Sequence, residues 1–100
     1  MNKLFTRFSP FIKVIVYGNS MHPTFKNGEI VLVNKLVYRF TKPKLNDIVV
    51  VKNSLDLIKR IKKINGKSYF VVGDNLKFST DSRHFGWISK SQIIGKVYKL

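Results

Sequence analysis

What most constrains this chain is its punctuation. Short runs of β-branched and aromatic residues recur between Gly-Asn, Asn-Gly and Gly-Asp turns, and no apolar 3.6-residue period persists. The runs are Val14–Tyr17, Glu29–Val33, Leu36–Phe40, Asp47–Lys52, Leu57–Ile64, Ser68–Val72 and Ile93–Leu100. Asn27-Gly28 and Asn65-Gly66 are strong reversal signals, because both residue types tolerate positive φ. Ile48-Val49-Val50-Val51 reads as a buried strand, and Leu36–Phe40 as a continued or new one. Helical turns are expected only at Met21–Lys26 and Ser89–Ile93. The spacing predicts a mainly β fold, a small antiparallel β-barrel or paired-sheet core with one or two short helical turns. A length of 100 residues gives one domain, with a basic segment at 1–12 and the core at 13–100. Asn75–Gly86 breaks the rhythm. It is polar and aperiodic, reads as a long loop, and loops of that length in compact domains commonly carry function.

Charge narrows the partners. Nineteen Lys and Arg against five Asp and Glu give a net charge of +14, which favours nucleic acid, an anionic lipid surface or an acidic protein. Lys3, Arg7 and Lys13, with Leu4, Phe5 and Phe8 between them, suit the surface of an anionic membrane. The same residues also read as a plain terminus leading into a first strand. Crossing a bilayer takes roughly 20 consecutive apolar residues. The best run, Phe11–Tyr17, is short and broken by Lys13, so the expected location is the cytoplasm or the membrane periphery. With no cysteine, the chain has no disulfide, thiolate metal site or cysteine nucleophile. With two histidines and few acids, neither a metal nor a cofactor is expected.

One segment is placed for chemistry. In Gly18-Asn19-Ser20-Met21-His22-Pro23-Thr24 a serine stands where a strand breaks into a turn. Such a junction exposes a hydroxyl and aims backbone N–H groups at one point, as a nucleophile and its oxyanion hole require. An ordinary turn has the same composition, so the base decides. His22 is too near Ser20 along the chain to face it, and a Ser20–His84–Asp81 triad stays open without being singled out. Lysine is the other known base. Its amine must be neutral, and burial lowers a free value of about 10.4 by up to ~3–5 units. In Leu57-Ile58-Lys59-Arg60-Ile61, strand alternation puts Lys59 on one face with Leu57 and Ile61. A snorkelling lysine at a sheet edge would look the same.

Three blocks in order resemble the type I signal peptidases and their serine–lysine relatives. Ser20-Met21-His22-Pro23-Thr24-Phe25 with Gly28-Glu29-Ile30-Val31-Leu32-Val33 is similar to the nucleophile box. Asn46-Asp47-Ile48-Val49-Val50 with Ile58-Lys59-Arg60-Ile61 is similar to the lysine box. Gly73-Asp74-Asn75 with Ser79-Thr80-Asp81-Ser82-Arg83-His84-Phe85-Gly86, ending in Ile94-Gly95-Lys96-Val97, is similar to the third. The resemblance implies Ser20 as nucleophile and oxyanion donor through its N–H, Lys59 as general base and Ser79 as the group that orients Lys59. It implies an Asp81–Arg83 ion pair, a turn shaped by Gly73, Asp74 and Asn75, and a small-residue pocket at Met21, Leu57 and Ile58.

The chain departs from that family at definite places. Membrane signal peptidases carry transmembrane helices before the serine, and only 19 residues stand there in this sequence. The accessory β-domain between the lysine box and the Gly-Asp-Asn box is replaced by Ile64–Tyr69. The compact length is similar to that of the maturation peptidases of nickel-containing superoxide dismutase. The resemblance therefore implies an endopeptidase that removes a leader or a pro-segment after small residues, acting on a protein with a cleavable N-terminal segment. From other classes, a basic barrel stacking nucleic acid on Tyr17, Tyr38, Phe40 and Tyr69 and a non-cleaving peptide-binding module are the alternatives. The nucleic-acid reading leaves the three-block pattern unexplained.

Overall fold

The computed structural model describes residues 9–100. Most of the basic N-terminal segment, with Lys3, Leu4, Phe5, Arg7 and Phe8, lies outside the described residues. The strands are β1 (Phe11–Ile15), β2 (Ile30–Asn34), β3 (Ile48–Asn53), β4 (Leu55–Asn65), β5 (Ser68–Val72), β6 (Ile88–Ser89) and β7 (Ile93–Lys99). They form one antiparallel sheet in the order β1-β2-β7-β3-β4-β5-β6, curled into a half-barrel. The mainly β expectation holds, as one continuous sheet.

The hairpins follow the turn chemistry. β4 and β5 pair from Arg60↔Val72 to Asn65↔Ser68, and Gly66 takes φ +61° in the two-residue connection. β3 pairs with β4 on one side and β7 on the other, and its run of valines divides between two cores. Val50 packs with Val16, Met21, Phe25, Val31, Val33 and Val97, while Val49 and Val51 pack with Tyr38, Ile61, Tyr69, Val71 and Ile88. A strand covered on both faces needs no polar alternation, which is why this run is unbroken.

Between β1 and β2 the chain makes the excursion that carries Ser20. Its base is closed by Val16 N–H donating to Glu29 O, Gly28 N–H to Val16 O and Gly18 N–H to Asn27 Oδ1. Inside it Phe25 N–H donates to Met21 O, giving the helical turn expected over 21–26. Met21 and Phe25 then fill the first core at 1% and 2% exposure, so the turn is anchored by its own apolar residues.

Three local readings are corrected or refined. Leu36–Phe40 is not a strand; Val37–Arg39 forms a 3₁₀ turn, because the Asn34 side chain accepts from Leu36 and Val37 N–H and pulls the chain out of the sheet. Asn75–Gly86, read as a long loop, also holds a 3₁₀ turn at Leu76–Phe78 and a one-turn helix, α1 (Ser82–Phe85), capped by Asp81. Of the four aromatics offered for stacking nucleic acid, Tyr38 and Tyr69 are buried, which leaves Tyr17 and Phe40 exposed.

Candidate active site

The lysine box lies on β4 and places Lys59 opposite Val49 of β3. Lys59 is 2% exposed, far below what a snorkelling lysine shows. Its Nζ donates to Ser79 Oγ at 3.0 Å, and Ser79 Oγ in turn donates to Asp81 Oδ2 at 2.6 Å. Asp81 is fully buried and also accepts from Gly73 N–H at 2.8 Å and Arg83 N–H at 3.1 Å. The Arg83 guanidinium closes on it with Nε at 2.9 Å and Nη2 at 3.1 Å.

This wiring sets the electrostatics. Burial pushes the Lys59 ammonium below its ordinary value; Asp81 opposes that and Arg83 adds to it. For Asp81 burial acts upward, but the bonds from Arg83, Ser79 and two backbone N–H groups outweigh it and hold the carboxyl well below the usual range. Asp81 is thus a fixed anion neutralised mainly by Arg83. Lys59 faces the Ser79 hydroxyl rather than a carboxylate, so no direct ion pair holds its proton.

Ser20 and Lys59 line the same cavity. Met21, Leu57 and Ile58 line it too, as do Ile12, Val14 and Val16 beside them. Among the described residues no direct hydrogen bond joins Ser20 Oγ to Lys59 Nζ, and Ser20 N–H donates to no other group. Catalytic hydrogen bonds are often formed fully only when substrate is bound, so this geometry is compatible with a dyad.

The Gly-Asp-Asn turn ties the two halves of the site together. Asn75 N–H donates to Ser20 O at 2.9 Å, and Asn75 Nδ2 donates to Asn19 O at 3.0 Å. Asp74 takes a bidentate pair from Arg60, with Nε and Nη2 both at 2.8 Å, and accepts from the Thr24 hydroxyl. Those bonds lower the Asp74 carboxyl, the Arg60 pair most. Gly73 sits between the serine turn and the lysine's support. A Cβ there would lie 2.7 Å from Ser20 O and 2.2 Å from Ser79 Oγ.

Thr24 and Arg60 went unassigned in the sequence reading. The available signal was their place beside Ser20 and Lys59 in the two boxes. The histidines fall elsewhere. His84 Nδ1 accepts the Asp81 N–H at 3.3 Å in the capping box of α1, and neither histidine lines the cavity of Ser20. A Ser20–His84–Asp81 triad is therefore not assembled. Among the described residues no cluster of three or more His, Cys, Asp or Glu forms a metal site, and no helix is long and apolar enough to cross a membrane.

The profile of the family "Signal peptidase, peptidase S26" matches residues 2–67 and 61–99. Signal peptidase I V of Bacillus subtilis is 31% identical over 140 aligned positions, covering 87% of this chain and 83% of that protein. The mitochondrial ATP-independent inner membrane protease subunit 1a of Arabidopsis thaliana is 34% identical, over 82% of this chain and 65% of that protein. Signal peptidase I of Bacillus caldolyticus is 28% identical, over 91% of this chain and 79% of that protein. A β sheet with this match is that of a protease: the chain belongs to the S26 signal peptidase family. The alignment to the Bacillus subtilis protein is longer than this chain, so that relative carries inserted residues. The two profile segments meet at residues 61–67, in the β4–β5 hairpin.

Proposed function

We propose that this protein is a serine endopeptidase in which Ser20 is the nucleophile and Lys59 the general base. The observation that carries the proposal is the state of Lys59. It is a buried amine, depressed by desolvation, bonded to a hydroxyl rather than a carboxylate, and it lines one cavity with Ser20. A lysine held in that way is poised to be neutral and to accept a proton.

The mechanism follows from the wiring. Ser20 Oγ attacks the scissile carbonyl as its proton passes to Lys59 Nζ, and the Ser20 N–H donates to the oxyanion. Lys59 then gives that proton to the leaving amine, which departs and leaves an acyl-Ser20 ester. Water enters, loses a proton to Lys59 and releases the acyl group, and the proton returns to Ser20. Ser79 holds Lys59 Nζ in place, Asp81 and Arg83 hold Ser79, and Asn75 fixes the Ser20 carbonyl. The cavity of Met21, Leu57 and Ile58 takes small side chains before the cut.

The substrate is a protein with a cleavable N-terminal segment. The names of the relatives, signal peptidase and inner membrane protease, favour a leader over the pro-segment of a metalloenzyme. The name inner membrane protease also favours work at a membrane, and the chain's net charge of +14 suits an anionic surface, where the basic segment 1–12 would serve. No specific observation favours nucleic-acid binding or a non-cleaving peptide-binding module. The test is incubation with a secretory preprotein and with a soluble proenzyme, with and without anionic liposomes, followed by mapping of any new N-terminus. Cleavage of the preprotein after a small residue, lost in Ser20→Ala and in Lys59→Arg, is expected. Full cleavage by Lys59→Arg would overturn the dyad, since arginine does not deprotonate.

A further inference from the structure

Four of the five acids are used inside the fold. Glu29 accepts from Lys26 N–H, and Asp47 accepts from Tyr38 and from Lys44 N–H with Lys96 at 3.4 Å. Asp74 holds Arg60 and Thr24, and Asp81 holds Arg83 and Ser79. Asp56 differs. Among the described residues its carboxylate makes no hydrogen bond and no ion pair, although Lys52 is its cross-strand neighbour, and it lines the apolar cavity shared by Ser20 and Lys59. Asp56 stands in β4, three residues before Lys59.

We propose that Asp56 is a specificity-determining residue that selects a substrate carrying a lysine or arginine side chain at the second or fourth position before the cut. The distance along the strand supplies the register. At a rise of roughly 3.3 Å per residue, Asp56 stands about 10 Å along β4 from Lys59. A substrate lying extended over the cavity, with its scissile carbonyl at Ser20, therefore passes Asp56 about three residues from the cut. Alternation does the rest. Side chains one and three before the cut then enter the apolar cavity, and those two and four before it turn outward to solvent, to which Asp56 is also exposed. An outward lysine or arginine has the reach to close on that carboxylate. The occupant's identity rests on the peptidase reading above; the open carboxylate at the cavity does not.

The protein's own charge makes this diagnostic. A body of net charge +14 favours acidic peptides wherever they bind without a specific site. A preference for a basic side chain runs against that field and needs a local anion. The experiment measures binding of fluorescent peptides to the Ser20→Ala protein by anisotropy. The peptides share a small-residue core and differ only in Lys, Gln or Glu at the second or fourth position. The Lys peptide is expected to bind about three- to tenfold more tightly than the Gln peptide at low salt. Added salt should narrow the gap. Asp56→Asn should erase the preference, and Asp56→Lys should turn it toward Glu. Equal binding of all three peptides, or a Lys preference that survives Asp56→Asn, overturns the proposal. Cleavage by the protein with Ser20 intact is scored separately. Peptides bound with the charge preference but never cut would overturn the peptidase reading and leave Asp56 standing. Peptides cut without any charge preference would do the reverse.

Discussion

Gly73→Ala adds one methyl group between Ser79 and the Ser20 carbonyl. Its Cβ would stand 2.2 Å from Ser79 Oγ, 2.5 Å from Ser79 Cβ and 2.7 Å from Ser20 O. Ordinary contact begins at 3.4 Å, so the Ser79 hydroxyl must retreat by about 1.2 Å and the Ser20 carbonyl by about 0.7 Å. Neither is free to move. Ser79 Oγ is held by Lys59 and by the fully buried Asp81, and Ser20 O is held by Asn75 N–H. Overpacking of this kind costs about 1–3 kcal/mol, and a lost buried hydrogen bond adds about 1 kcal/mol more. At about 4–8 °C per kcal/mol for a domain of this size, the melting temperature should fall by roughly 10–25 °C. Misplacing catalytic groups by about 1 Å costs on the order of 10²-fold in rate. Thermal unfolding by circular dichroism, paired with peptide cleavage at a temperature where the variant is folded, reads both. A variant with the parent's melting temperature and a rate within threefold would refute the claim that Gly73 sets the spacing between Ser20 and the support of Lys59.

Other substitutions separate stability from chemistry. Lys59→Met removes the buried amine and keeps the side-chain length, so cleavage should vanish while the urea midpoint holds or rises. In the parent the folded chain binds its Lys59 proton more weakly than the unfolded chain, whose value is the ordinary 10.5. Stability should therefore climb with pH from the lowered folded value up to about 10.5, and Lys59→Met should remove that slope in urea titrations across pH. Asp81→Asn should cost about 1–3 kcal/mol at neutral pH, because an amide that carries donors replaces a buried carboxylate that accepts from Ser79, Gly73 N–H and Arg83. The Asp81 contribution is fully present above the unfolded carboxyl value of 3.8 and is lost as pH falls toward its lower folded value, so the variant should unfold with a flatter acid limb. Because the Asp81 anion raises Lys59, any residual activity of that variant should show its rising limb at lower pH.

The hairpins were legible because local signals and tertiary demands agree. Gly66 supplies a positive φ, and β3 is apolar on both faces because two cores need it. Leu36–Phe40 misled because its strand-like residues are overruled by the Asn34 side chain and by Tyr38 O–H donating to Asp47 across nine residues. The site was legible as three motifs and not as a geometry. No periodicity relates Lys59 to Ser79, 20 residues apart on a strand and a loop, or Thr24 to Asp74, 50 residues apart. Asp56 was passed over because a carboxylate's lack of a partner exists only in three dimensions.

The central claim is that Lys59 is the amine that takes the proton of Ser20. The most direct test is a site-resolved NMR titration of the Lys59 side-chain nitrogen, assigned by its loss in Lys59→Met and compared with the pH dependence of kcat/KM. Lys59 should titrate below the ordinary 10.5, apart from the surface lysines, and kcat/KM should rise along the same curve. A Lys59 that titrates with the surface lysines, or a kcat/KM that ignores its titration, would contradict the mechanism.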